Sequence, residues 1–493
     1  MNISELLLRI NNVNFSSLIC QTEIQTPEDK TRYAEEGYVI NLTETEFRQQ
    51  FDIPSHCVWY TPSISCSCLY FNPETLAAAY LPLELYISGL HAKKETLSKG
   101  LQEREHAAAS GDYMQQILCL PDGMRMEYFN LLVERKPDFS DLYDLFFSIY
   151  LSSDYGFGKI NSHTFQRIMT SKTEEEKAKT AAKLQHLPNY VKIYRGGNSA
   201  STPYEQAYSW SLDINTANFF ACRHGYGEGY IVEGVAAKED IIEAFLDDRH
   251  EQEVIIQPQN VEIVSEYSLK SLNTLKKTLP EIAPLYHKYR NQLEHLSFAQ
   301  DSSEHGHAHE ARVLLLCLII AHMIGLPPRD QRVLATAAIY HDTQRTNDSV
   351  DEVHGRASAE FYMRNVSSPD PMVSFLCEYH CLPDEEGYKA IRDNRNLSKN
   401  RSRSKLLYDL FKDADALDRV RFGIRALDIN QLRLPISKEL PLIAKINLEQ
   451  IEITPIKDPL KASLSSKISD AAGKAAQLHK ETPACLSLQS YEH

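Results

Sequence analysis

The sequence is poor in positive charge: 52 Lys and Arg face 67 Asp and Glu, a formal net charge of −15. Adhesion to DNA, RNA or an anionic membrane draws on a basic face, so no nucleic-acid partner is expected. Long apolar runs are also lacking. The longest, residues 313–326, contains His322 and stops at Gly325-Leu326-Pro327-Pro328, whereas a bilayer span needs about 20 consecutive apolar residues. That run is expected to be a buried helix, and no membrane span is expected. The ten cysteines do not form two pairs at zinc-site spacing: Cys66-Ser67-Cys68 and Cys377 with Cys381 each stand alone. No signal-peptide pattern opens the sequence. Reduced thiols in a cytoplasm are the expectation, with delivery into another cell's cytoplasm left open.

The 493 residues, 43% hydrophobic, are enough for two or three domains with a core in each. Residues 1–110 carry no chemical motif, although 76–90 are apolar. Residues 111–272 combine a helical pattern over 126–186, with Leu131, Leu132, Leu142, Leu145 and Phe146 at helical intervals, and β-rich runs at 191–194, 229–235, 253–257 and 261–266. A helical insert is expected over 214–222. The predicted class here is α+β. A polar helical connector follows over 273–300, and 301–450 show helical periodicity throughout, predicting an all-α domain. The Ser-, Lys- and Ala-rich residues 451–493 are expected to be disordered.

Two groups of residues carry chemistry. The first comprises Tyr194-Arg195-Gly196-Gly197, Ser209-Trp210-Ser211 and Glu251-Gln252-Glu253. Breaking the N-glycosidic bond of NAD needs a carboxylate beside a ribose that gains cationic character, a cation for the pyrophosphate and donors that fix both. Glu253, Arg195 and Ser209 offer these functions. Side chains alternate along a strand, so Ser209 and Ser211 are expected on one face, and Glu251 and Glu253 on another. One glutamate would then stay ionised while the other handles an acceptor proton. Trp210, pointing away from both serines, is expected in the core. Tyr194 and Phe219 are either core aromatics or stacking partners for nicotinamide or adenine.

In order and context these residues resemble the ADP-ribosyltransferases of the Arg-Ser-Glu class, a fold shared by many bacterial toxins, over roughly residues 126–270. The resemblance implies that Arg195 holds NAD, with Gly196 and Ser211 as further cofactor-binding positions. It implies that Ser209 supports the catalytic Glu253, and that Glu251 orients an arginine acceptor on a protein. Trp210 departs from the Thr usual at the middle of that motif.

The second group comprises His309, the pair His341-Asp342 and the stretch Asp413-Ala414-Asp415, each set on a helical segment. Imidazole nitrogens and carboxylate oxygens from several helices form a site for a divalent metal, Mn, Fe, Ni, Zn or Mg, and such a metal suits attack on a phosphate ester. Residues 300–435 resemble the HD-domain phosphohydrolases. The resemblance implies His309, His341, Asp342 and Asp415 as ligands, with Asp413 a rival for the last place. His354 falls where some members keep a catalytic histidine, with helix capping as its other reading, and His380 is an option for a second metal. Arg312, Arg345, Arg419 and Arg421 are candidate phosphate partners, with ordinary helix salt bridges as their other reading. The combined expectation is a two-activity enzyme acting on a protein acceptor and on a nucleotide or other phosphoester. Its alternative is a transferase whose helical domain is a nucleotide-binding regulator or protein-interaction module.

Overall fold

A computed structural model describes residues 13–62, 67–88, 94–153, 156–199, 201–223, 228–246, 251–301, 305–349 and 351–448, the side chains of 94 and 95 excepted. Cys66 and residues 451–493, expected to be disordered, lie outside the described residues. The chain is mixed α+β with a helical C-terminal part, as expected at that level. Among the described residues no helix is long and apolar enough to cross a membrane.

Residues 19–80, where the sequence showed no chemical motif, contribute an antiparallel sheet. Its strands β1 (Ile19–Cys20), β2 (Val58–Tyr60), β3 (Cys68–Phe71) and β4 (Ala78–Tyr80) pair in sequence order. Runs of two to four residues are too short to show the period-two pattern that marks a strand. Helices α1 (Asp122–Arg135), α2 (Leu142–Tyr150) and α3 (Ser162–Thr170) share with this sheet one apolar core, which runs from Val13 to Ile168 and takes in Phe245 and Ile255, so position 110 marks no break in packing.

Helix α4 (Glu174–Leu184) starts at a capping box in which the Thr173 hydroxyl and Glu176 carboxylate satisfy each other's backbone N–H groups. After it the chain enters a six-stranded antiparallel sheet: β5 (Tyr190–Asn198), β6 (Ser209–Ser211), β7 (Gly229–Ala237), β8 (Ile241–Phe245), β9 (Glu253–Ile256) and β10 (Val261–Ser268), in the order β10-β7-β5-β6-β9-β8. The four expected β-runs are all present. β8 was not foreseen because four of its five residues are buried, which erases alternation. Between β6 and β7 lies α5 (Ile214–Cys222), capped by Asp213, whose carboxylate accepts from Asn215 N at 3.0 Å and Thr216 N at 3.3 Å. A Cβ on Gly196 would sit 1.6 Å from the Ala217 carbonyl oxygen. Only glycine lets α5 lie this close to β5.

The helical part holds α6 (Leu272–Leu293), α7 (His307–Met323), α8 (Pro328–Tyr340), α9 (His354–Asn365), α10 (Pro371–Tyr379), α11 (Asp384–Asp393), α12 (Arg401–Leu417) and α13 (Pro441–Leu448). The expected buried helix over 313–326 is the interior of α7, with Val313 to Ala321 all buried. One apolar core runs from α6 to α13 and takes in Ala217, Ala221, Cys222 and Ile231 of the sheet-bearing part. α5 thus packs into the core of the helical part, while Val191, Ile193, Trp210, Val232 and Val254 of the second sheet form a core of their own.

Candidate functional site

Metal-type ligands gather where helix ends meet. His309 lies in the first turn of α7, His341 caps the C-terminus of α8 with Asp342 next to it, and Asp415 lies in the last turn of α12. His354 opens α9 and His380 caps the C-terminus of α10. The C-terminal ends of α8, α10 and α12 present carbonyl-rich, partly negative poles that favour a cation. Gly355 brings α9 and α10 together, since a Cβ there would meet the Cys377 carbonyl oxygen at 2.7 Å.

The distances join all four expected ligands. His309 Nε2 lies 3.3 Å from both His341 Nε2 and Asp415 Oδ1, and 3.8 Å from Asp342 Oδ2. Around the other Asp342 oxygen, His354 Nε2 is at 3.0 Å and His380 Nε2 at 3.2 Å, and these two nitrogens are 3.1 Å apart. His309-His341-Asp415 and His341-Asp342-His380 each bring three ligand atoms within metal-binding reach of one another.

Tautomers sharpen this picture. The Nδ1 of His341 faces the Ala338 carbonyl at 3.0 Å and that of His380 faces the Cys377 carbonyl at 2.7 Å. A carbonyl only accepts, so each Nδ1 carries the hydrogen and each Nε2 turns a lone pair inward. His309 Nδ1 meets Asp418 Oδ2 at 2.7 Å in the same way. Lone pairs and carboxylates converging in a buried space repel unless a cation lies among them. Without a metal, a proton serves: burial opposes the charge of His309, but Asp415 and Asp418 outweigh it and hold its pKa up to about 9. His341 goes the other way, to about 3, chiefly by burial, with the His380 and His309 charges adding to it. Burial works against the ionised Asp342, yet the surrounding imidazoles of His341, His305, His354 and His380 keep it well below the usual carboxylate range. Asp415 keeps some exposed surface while its carboxylate faces His309, which also lowers its pKa.

Asp413 is not among these ligands. Its carboxylate accepts from the backbone N–H of Arg433 at 2.9 Å and of Leu434 at 2.8 Å, and from the Arg433 side chain at 3.1 Å. Two residues apart on a helix, Asp413 and Asp415 point to nearly opposite sides, and of the two it is Asp415 that faces His309. Asp418 and Glu310 were missed, and His305 was expected as a first-turn surface residue rather than a ligand. Asp418 had a visible signal, since on a helix it lies three residues after Asp415 and so on the same face. Glu310 accepts the Asp342 N–H at 3.2 Å, and burial raises its pKa well above normal. His305 Nδ1 lies 3.3 Å from Asp342 Oδ2. Of the candidate phosphate partners, Arg312 is bound to Asp418 at 2.6 and 3.0 Å, and Arg421 meets the same carboxylate at 3.2 Å. Arg419 donates to the Ala426 carbonyl at 3.2 Å. Arg345 lies 3.3 Å from His354 Nε2 and 4.0 Å from Asp342 Oδ2, at the edge of the cluster.

The second group assembles on β5, β6 and β9. Ser211 pairs with both Tyr194 and Glu253 across its neighbouring strands. Ser209 Oγ donates to Glu253 Oε1, and so does the Tyr150 hydroxyl. Tyr150, on α2, was missed because it sits in an apolar helix; its pKa is raised by burial first and then by Glu253, so it stays a donor. Arg195 Nη1 donates to the Ser209 carbonyl at 2.7 Å and Nη2 to the Thr202 carbonyl at 3.2 Å. Its Nε is buried with no hydrogen-bond partner among the described residues. Burial lowers the Arg195 pKa, with Tyr230, Tyr150 and Glu253 acting against the shift. Gly196 has its position explained by the approach of α5, and Trp210 is buried as expected.

Glu251 and Glu253 are related differently from the expectation. Gln252 adopts φ +46°, a left-handed conformation, and β9 begins only at Glu253. Strand alternation therefore does not orient Glu251. Its backbone carbonyl instead accepts Ser211 Oγ at 2.6 Å, and the Gln252 carbonyl accepts Leu212 N at 2.9 Å. No family model, curated protein or solved structure matches this chain.

Proposed function

We propose that the chain is a two-activity enzyme: an NAD-dependent ADP-ribosyltransferase of the Arg-Ser-Glu class over residues 111–272 and an HD-type metal-dependent phosphohydrolase over 301–450. The observation that carries the second half is the inward convergence of Nε2 lone pairs and carboxylates from five helix ends. His309, His341, Asp342 and Asp415 would hold a divalent metal, Mn, Fe, Ni, Zn or Mg. Such an ion, when bound, polarises a phosphoryl oxygen and acidifies water. Asp418 fixes the tautomer of His309, Arg345 is placed for a phosphate oxygen, and His354 stands beside it for proton transfer. The substrate class is a nucleotide or other phosphoester.

The transferase half is supported by the contact of Ser209 with Glu253 and by the buried, unpartnered Nε of Arg195, a donor suited to a pyrophosphate oxygen. Glu253 would stabilise the ribose as its glycosidic bond breaks, and Tyr150 and Ser209 would position it. Glu251 would orient an arginine of an acceptor protein in a cytoplasm. The packing of α5 against Gly196 on one side and into the helical core on the other favours a second reading in which the helical part regulates the transferase by binding a nucleotide without turning it over.

One experiment tests both halves. Pure protein is incubated with labelled NAD, a cell lysate and Mn, and modified proteins and small phosphates are followed by mass spectrometry. Labelled protein with phosphate turnover supports two activities. Labelled protein with bound metal and no turnover supports the regulator, and neither product rejects the proposal.

A further inference from the structure

Between the two centres the chain makes short turns at Ile424–Ala426 and Ile429–Gln431. This segment is docked on α5: Asn215 Nδ2 donates to Asp428 Oδ1 at 3.1 Å, Asn215 Oδ1 accepts the Ile429 N–H at 2.8 Å, and Leu427 and Ile429 are buried. Anchored in this way, Arg425 places its guanidinium carbon 4.1 Å from the centre of the Phe219 ring and Nη2 3.7 Å from Glu251 Oε1. An ion pair at that distance, with Arg425 partly exposed, is weak, and a cation over a ring adds about as much. Neither contact holds the segment. Asn215 and the buried aliphatic residues do, and they leave the guanidinium resting against the carboxylate expected to receive an acceptor arginine.

We infer that Arg425 is an acceptor of ADP-ribose in cis, a self-modification site of the transferase. This inference rests on the transferase reading above. In the step, the bond between ribose C1′ and the nicotinamide nitrogen breaks, and nicotinamide leaves neutral with the bonding pair. An Nη of Arg425 gives up a proton to Glu251, which passes it to water, and bonds to C1′ with its lone pair. The guanidinium is again cationic and no electrons are exchanged. NAD is the only co-reactant. Tethering raises the effective concentration of the acceptor to about the millimolar range, above that of most acceptors arriving by diffusion.

The test incubates the full chain with NAD and maps adducts by intact mass and fragmentation, with a small guanidino compound as a free acceptor in parallel. The expected result is a single ADP-ribose on Arg425, formed at a rate unchanged by dilution of the protein. Arg425→Lys, which keeps the charge and removes the guanidinium, loses that adduct while still consuming NAD. Adducts only at other residues, or a rate at Arg425 that falls in proportion to dilution, overturn the inference. Modification of the free guanidino compound with Arg425 untouched overturns it too and leaves the transferase standing. If NAD is not consumed under either condition, the transferase reading has failed and the inference fails with it.

Discussion

Asp418 joins His309 to Arg312: one oxygen accepts His309 Nδ1 at 2.7 Å, and the guanidinium reaches both oxygens, at 2.6 and 3.0 Å. Arg421 also donates to the Oδ2 that faces His309, at 3.2 Å, so three side chains hold the carboxylate. Asp418→Asn would keep one acceptor, which Arg312 takes, and turn an amide N–H toward His309. That reverses the imidazole and moves its hydrogen onto the metal-facing nitrogen. The expected loss of metal affinity is about 10–100-fold, as for other partners that orient a ligand histidine. Calorimetric titration with Mn checks it, and unchanged affinity would remove Asp418 from the site.

Glu253→Gln should lower both arginine transfer and NAD hydrolysis by at least ~10²-fold, because an amide offers no negative charge to an oxocarbenium-like ribose. Tyr150→Phe should lower both about tenfold, the scale of one hydrogen bond to a charged group, without loss of fold. Glu251→Gln should remove arginine transfer and keep NAD hydrolysis. Parallel assays of nicotinamide release and acceptor labelling separate these outcomes. Equal losses in both assays for Glu251→Gln would take the acceptor role from Glu251.

Much of the second sheet and the helical part was legible because their signals are local. The runs around Val191, Gly229 and Val261 show β composition between turns, and Asp213 marks the start of α5 by the chemistry of a cap. The residues that gather around His309 were legible in order, but which of Asp413 and Asp415 faces His309 was not, since it turns on which helix face meets α7 and α8. Tyr150 and Arg425 reach Glu253 and Glu251 only through tertiary contacts, across 103 residues in the first case. Nothing beside either residue in the sequence announces such a meeting. The left-handed turn at Gln252 was equally hidden, because glutamine gives no sign of a positive φ.

His341→Ala combined with Asp342→Ala should abolish bound metal and phosphohydrolysis, measured by elemental analysis and phosphate release. Both side chains are fully buried, so the variant also loses packing in the core that reaches α5. Transferase activity should survive, with a thermal midpoint several degrees below that of the parent. If the parent chain, offered Mn, Ni, Fe and Mg, holds none of them, the cluster is structural and the phosphohydrolase reading falls.

Glu243 ties the first core to the second sheet. It accepts from Tyr143 on α2, Thr180 on α4 at 3.0 Å and Ala244 N at 2.9 Å, and it pairs with Lys172 at 3.4 Å and Lys183 at 3.1 Å. Burial alone would raise its pKa, but Tyr143, the Ala244 N–H and the two lysines outweigh burial and hold it below the ordinary glutamate range. A carboxylate depressed by folding adds stability above its unfolded pKa and loses it as the pH falls through the folded value. Glu243→Gln also leaves Lys172 buried without its counter-charge, and breaking a buried pair from one side costs about 3 kcal/mol. The variant should therefore unfold at lower urea concentration than the parent at neutral pH, and the gap should narrow as the pH falls from the ordinary glutamate range through the lower folded value of Glu243, where the folded parent takes up the proton too. Urea midpoints taken across that range decide the matter: a gap of constant size down through the carboxylate range would show that shape, and not the charge of Glu243, holds α2, α4 and β8 together.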